Sequence, residues 1–439
     1  MASQSQAEWP DVLDPIEVAP RSFLDAHQEA AIRAMSRHAF ENAPLINEVW
    51  KRAGVSPSDI KSTADFMEKA PFITKDDIRE FRDRNGDPSG GMSVSIPGQT
   101  VSIGTTSGTT GDPTPVPNWR RMPSEESYSR DFWHIGARPG DHICHIMFTF
   151  RGGHRRRASM ELGLCEIAFS MSPTEIPRLI EASKIYRPVT MSIFPGPLIL
   201  AMEQYFEKTG DDPVDVFKSY KGAVFGGEPL GERLKNLTKS WGLEIFETTS
   251  LGDVAGASQC RMHDGFHAYE DLAFIEAVDP ISAEPVADGE VGELVVTTLV
   301  DRLSPLVRYR TGDLVVIDRT PCGCGRTHAK FNLLGRATDQ ILVEGRSILP
   351  REIMGLVENE SETRAALFQI VRTHREMDTL KLRIGYNTER LAGSPGALRG
   401  RLHDKIASEI GVPLIVELVD EQELLKLGPP HKIPRVTKS

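Results

Sequence analysis

VSIGTTSGTTGDPTPVP, residues 101 to 117, packs three glycines and five hydroxyls into the eight positions from Gly104 to Gly111. Glycines let a backbone turn its N–H groups toward an anion, and Thr105, Thr106, Ser107, Thr109 and Thr110 add hydroxyl donors. The preceding Thr100-Val101-Ser102-Ile103 alternates as a strand does, so the loop is expected where a strand ends. It reads as a cradle for nucleotide phosphates. It is not a Walker loop, which needs a lysine after its last glycine; here Gly111 is followed by Asp112. The compensating cation must come from elsewhere in the chain.

Working outward, the 439 residues suffice for two or more domains, one with a substantial core. Hydrophobic content of 39% and charged content of 26% are those of globular proteins, and no run nears the ~18 apolar residues of a membrane span. Glu8, Asp11, Asp14 and Glu17 leave no apolar segment for a signal peptide, so a cytoplasmic protein is expected. A net charge of −11 argues against non-specific nucleic-acid binding. Five cysteines argue against a disulfide framework and leave thiols for metal or packing. Cys144 and Cys165, in apolar surroundings, are expected in the core.

Residues 1 to about 95 read as helical: Phe23 to Ala43, then Leu45 to Ala53, with an N-cap at Thr74 before an acidic first turn. From Glu125 to Leu237 helical segments alternate with strand candidates at His142–Met147, Val189–Phe194 and Gly222–Phe225, which predicts parallel α/β construction. Two turns are expected after strands, Gly226-Gly227-Glu228-Pro229 and Phe246-Glu247-Thr248-Thr249-Ser250. Ligands bind at the carboxyl ends of such strands, although either turn alone suits an ordinary βα connection. Residues 272–318 shift to strand composition, and Thr311-Gly312 reads as a tight turn placing Asp313 for a ribose diol or for turn capping. After the break at Gly335–Asp339, about a hundred residues read as a small α+β domain.

These landmarks, in this order, resemble the adenylate-forming enzymes, and within them the phenylacetate–coenzyme A ligase family. Thr106–Gly111 resembles the SSGTTG loop, Gly227-Glu228-Pro229 the GAEP turn, and Tyr309–Leu314 the YRTGDL motif. Gly335-Arg336, Gly345-Arg346 and Pro350–Ile353 resemble the hinge and the G-x-x-x-x-P-x-x-I segment, and His431–Val436 the GKAxRV tail. The resemblance implies an α/β fold with a large N-terminal adenylate-forming domain of mixed sheets and flanking helices, residues 1–335, binding ATP and the acid. A small mobile C-terminal α+β domain, 336–439, follows on a hinge. It implies Lys432 as the catalytic cation and a nucleotide site of Thr106, Ser107, Gly108, Thr109, Thr110, Gly111, Gly227, Glu228, Pro229, Phe246, Glu247, Thr248, Thr249, Asp313 and Arg336. A homodimer is implied too.

The chain departs from the family in three places. Ser250 stands where the family has a magnesium-binding glutamate, leaving Glu247, Glu228 and Asp253 as alternative ligands. The hinge aspartate falls at Thr338, beside Asp339. The glycine-rich border of the acyl pocket reads Met147 to Arg157, with Phe148, Phe150 and Gly152 facing an aryl group; Arg155, Arg156 and Arg157 bind an acidic group or coenzyme A phosphate, or else lie on solvated surface. Thiolate and imidazole suit zinc. Cys260, His267, Cys322 and Cys324 resemble the C-x6-H and C-x-C-G-R-T pairs of family members, implying a structural zinc site, with His263 and His328 in reserve.

The expected reaction joins a carboxylic acid, aromatic or arylacetic, to ATP as an acyl-adenylate, which coenzyme A then displaces, with ATP, magnesium and coenzyme A as cofactors. Two rivals stay open: an adenylating enzyme that passes the acyl group to an amine or carrier protein, and a nucleotide-binding protein that has lost catalysis.

Overall fold

The computed structural model describes residues 12–95, 97, 101–105, 114–119, 123, 126–147, 150–170, 172–192, 195–374, 376–427 and 433–438. Its centre is an eleven-stranded sheet. Across it the strands run Ala273–Val278, Val291–Thr298, Tyr309–Asp318, Lys330–Arg336, Phe266–Ala268, Ala255–Ser258, Ile245–Leu251, Gly222–Gly226, Thr190–Met191, His142–Met147 and Cys165–Ser170. Pairing is antiparallel from the first of these to Ile245–Leu251 and parallel beyond it. Ile245–Leu251 is therefore the junction of two differently built halves.

Helices cover each half because its strands are apolar. The helix Arg21–Asn42 buries Leu24, Gln28, Ile32, Met35, Ser36 and Ala39, a three-to-four spacing that defines one face. With Pro44–Arg52 and Lys75–Asn85 it packs Ile32, Trp50 and Phe81 into a core shared with Val296 and Phe331 of the antiparallel strands. On the parallel half, Ile176–Tyr186, Gly196–Thr209 and Glu232–Ser240 flank a core of Met191, Phe225 and Trp241. Crossover helices on a parallel sheet are the construction expected from the sequence. Thr74 caps Lys75–Asn85 as its residue type predicts, accepting from the Asp77 amide at 3.2 Å. No described helix is long and apolar enough to cross a membrane.

Beyond Arg336 the chain leaves this sheet. Arg346–Ile348, Ile341–Val343 and Glu376–Met377 form a three-stranded sheet; Leu414–Asp420, Leu380–Tyr386, Phe368–Val371 and Val436–Thr437 form a four-stranded one. These sheets and the helices Pro350–Val357 and Pro395–Ile410 enclose a core of their own, including Ile353, Phe368, Leu382 and Leu402. Charged groups join this unit to the large one. Arg364 reaches Glu203 at 3.3 Å and Glu207 at 3.0 Å, Arg390 reaches Glu207 at 2.9 Å, and Glu358 accepts from the Arg233 amide at 3.1 Å.

Three expectations are corrected. Phe246–Ser250 is not a turn but the body of the junction strand. Thr311-Gly312-Asp313 lies inside a continuous strand, Tyr309–Asp318, as a bulge. Cys144 is buried as expected, but Cys165 is exposed because it opens a sheet-edge strand.

Candidate adenylation site

The bulge is the best-defined part of the site. Gly312 adopts φ 78°, a conformation that favours glycine, and its amide donates to Glu293 Oε1 at 3.1 Å from the neighbouring strand. Glu293 also accepts from Arg310, and Thr311 Oγ1 donates to the Leu294 carbonyl at 2.9 Å. Asp313 is thereby set facing Arg336, whose Nε lies 2.8 Å from Oδ1. Burial raises the Asp313 carboxyl above its ordinary range, and the charges of Arg336 and Lys75 oppose that rise. Lys75 is itself pushed down to about 8 by burial and by Arg336. Lys75 was not singled out in the sequence, where it is only the first residue of a helix. It arrives because the preceding Ile73 pairs with Tyr309, donating to the Arg308 carbonyl at 3.1 Å and accepting from the Arg310 amide at 2.9 Å.

A second group gathers at the ends of the parallel strands. Gly227 and Glu228 form the expected turn after Gly222–Gly226, and Glu228 Oε1 accepts from the Gly196 amide at 3.0 Å. Burial pushes Glu228 up to about 7, against that bond and the charge of Arg435. Arg435, of the small unit, is pushed down to about 10 by its own burial. Next to this turn, Glu247 accepts from Gln259 Nε2 at 3.2 Å and from the Leu230 amide at 3.4 Å. Thr248 donates to the Ala257 carbonyl at 3.1 Å, and Phe246 is buried. Ser250 pairs across to Gly256. Thr106, Ser107, Gly108, Thr109, Thr110, Gly111, Phe148 and Lys432 lie outside the described residues. Phe150 and Gly152 belong to the helix Phe150–Glu161. Solvated surface is wrong for Arg155, which is buried; Arg156 is paired with Glu166 at 3.0 Å.

The four predicted metal ligands do converge. The donor atoms of Cys260, His267, Cys322 and Cys324 all lie within 4.8 Å of one another. Cys260 and Cys322 sulfurs are 3.7 Å apart, and Cys324 Sγ is 3.4 Å from His267 Nε2. His267 Nδ1 lies 3.2 Å from the His328 carbonyl, which fixes that nitrogen as donor and leaves Nε2 facing the thiols. Among the described residues this is the one grouping of three or more metal-type ligands, and Glu228, Glu247 and Asp253 form none.

No family model matches the chain. It is 30% identical over 448 residues to the phenylacetate-coenzyme A ligase of Aromatoleum evansii, covering 98% of this chain and 95% of that one. To the phenylacetate-coenzyme A ligase of Thermus thermophilus it is 29% identical over 447 residues, 96% of each. Its fold matches a crystal structure of 2-hydroxyisobutyryl-CoA ligase in the postadenylation state with 2-HIB-AMP, at a TM-score of 0.84 and 22% identity, covering 100% of this chain and 94% of that one. Likeness of sequence over nearly the whole length, on the fold of an adenylate-forming ligase, places the chain in the phenylacetate–coenzyme A ligase family.

Proposed function

We propose that the protein is an AMP-forming acid–thiol ligase: it joins an aromatic or arylacetic acid to ATP as an acyl-adenylate, releasing pyrophosphate, and passes the acyl group to coenzyme A. The observation that carries the reading is the bulge-held Asp313, set against Arg336 at 2.8 Å where the chain leaves the large sheet for the small unit. A carboxylate fixed in this way accepts both hydroxyls of a ribose. Gly227, Glu228, Pro229, Phe246, Glu247, Thr248 and Thr249 wall the adenine and acyl side, and Thr106–Gly111 hold the phosphates. Phe148, Phe150 and Gly152 border the acyl group.

Attack of the carboxylate on the α-phosphate develops charge that the lysine-free loop leaves unopposed, so Lys432 supplies the cation. Residues 336–439 act as a mobile domain on residues 1–335, turning after adenylation to admit the thiol. Magnesium accompanies ATP, with Glu247, Glu228 and Asp253 as the carboxylates that could hold it. Cys260, His267, Cys322 and Cys324 would hold a structural zinc with four protein ligands and no open position. The reading includes a homodimer, and free thiols that suit the cytoplasm.

Pyrophosphate release is measured with ATP, magnesium and a panel of aryl, arylacetic and aliphatic acids, with coenzyme A, with an amine in its place or with neither, on the parent and Lys432→Ala. Acid-dependent release that falls at least about a hundredfold in the variant is expected, with sustained turnover only when coenzyme A is present. Release that is unchanged in the variant refutes the role of Lys432; turnover supported equally well by an amine refutes the thioester.

A further inference from the structure

One buried cation touches Thr248 of the site just described and has no role in the reaction derived above. Arg155 is 6% exposed on the helix Phe150–Glu161. Its Nη2 donates to Asp131 Oδ2 and to Thr248 Oγ1, each at 3.3 Å, and its Nη1 to the Ser192 carbonyl at 3.4 Å. Its guanidinium carbon lies 4.5 Å from the Tyr128 ring centre. Charge-assisted bonds normally close to about 2.7–2.9 Å. Nearby Arg130 does so, gripping Asp271 at 2.9 and 2.7 Å. Asp131 is meanwhile occupied through its other oxygen, which accepts from Ser258 Oγ at 2.6 Å and Tyr269 OH at 3.1 Å.

Arg155 thus carries five donors with no hydrogen-bond partner closer than 3.3 Å among the described residues. Its counter-ion Asp131 is shared with Ser258 and Tyr269, so the guanidinium keeps donor capacity for a further acceptor. Its position says which. Ser192 directly follows the strand Thr190–Met191, and Thr248 pairs with Gly226 at the carboxyl end of the parallel half, the edge at which ligands bind.

We propose that Arg155 is a specificity residue: it binds an anionic oxygen group that the acid carries in addition to the carboxylate being activated. The preferred substrates are therefore acids with a second carboxylate. This deepens the ligase reading and rests on it.

ATP–pyrophosphate exchange with matched pairs, phenylacetate against the isomeric carboxyphenylacetates and butyrate against glutarate, tests the assignment on the parent, Arg155→Gln and Arg155→Lys. The parent is expected to favour the better-matched diacid about tenfold to a hundredfold in kcat/KM, the range of a bond between charged groups. Arg155→Gln should erase that ratio, whatever it does to the absolute rates, and Arg155→Lys should keep part of it. A structural arginine behaves differently: every acid loses alike, the melting temperature falls and the ratio stays, which overturns the proposal. So does a parent that prefers monoacids, although the ligase reading then survives. Exchange with no acid at all refutes the ligase reading and this one with it. Should Arg155→Gln fold poorly, the parent ratio and the lysine variant decide.

Discussion

Glu207 offers a direct test of how the small unit is held. It accepts from Arg364 at 3.0 Å and from Arg390 at 2.9 Å, and its side chain is 48% exposed. A partly exposed ion pair is worth about 0.5 kcal/mol, so Glu207→Gln removes about 1 kcal/mol from the docked arrangement, roughly fivefold in the ratio of docked to undocked molecules. Arg364 is not stranded by the change, because Glu203 still faces it at 3.3 Å. Rapid-quench measurement of the two half-reactions separates the consequences. With the docked arrangement taken as the one that adenylates, thioester formation from preformed acyl-adenylate is expected to rise about two- to fivefold, with adenylation falling by no more than the same factor. Added salt should shrink the difference, since it screens the same pairs in the parent. Acid should mimic the variant. Burial would raise the Glu207 carboxyl, but the bonds from both arginines outweigh it and hold it below the ordinary 4.5. Its contribution is therefore present above that value and lost as pH falls through the lower folded one. Half-reactions indistinguishable from the parent at low salt, with unchanged melting, would refute the idea that these pairs set the docking equilibrium.

Two further outcomes are expected. Protein purified without added metal should contain about one zinc per chain, and Cys324→Ser should lose most of it; less than about half an equivalent in the parent, by elemental analysis, would rule out a structural zinc. Glu228 titrates near 7 when folded against 4.5 unfolded, so the folded state holds the extra proton between those values. Stability is then greatest below the unfolded value and declines as pH rises through 7, by at most about 2–3 kcal/mol for this half-buried group. Denaturant titrations from about pH 5 to 8 should show the decline in the parent and a flatter profile in Glu228→Gln; parallel profiles count against the assignment.

What the sequence disclosed followed from chemistry that only a few residue types can perform. Thiols and an imidazole have few uses together, so the Cys260, His267, Cys322 and Cys324 grouping was legible although the two pairs are far apart in the chain. Apolar periodicity located Arg21–Asn42, and Thr74 announced its helix. The misreadings share a cause. Glu247-Thr248-Thr249-Ser250 is polar and partly buried at every position, without the apolar–polar alternation of a half-buried strand, and so it passed for a turn. Gly312 passed for a turn because a bulge and a turn demand the same left-handed glycine. Lys75 and Arg155 owe their character to partners distant in sequence: Arg155 meets Asp131, Ser192 and Thr248 across four separate segments. Nothing local marks Lys75, and nothing local tells Arg155 from Arg156 and Arg157 beside it.

The composition of the contact between the two units has a colloidal consequence. Arginines meet carboxylates there, and none of the apolar clusters of described residues draws members from both units. Among the described residues, separation therefore exchanges these ion pairs for hydrated ions and splits none of the apolar clusters. On the proposed reading, in which the units part after adenylation, such a contact can open in a crowded solution without exposing a sticky surface.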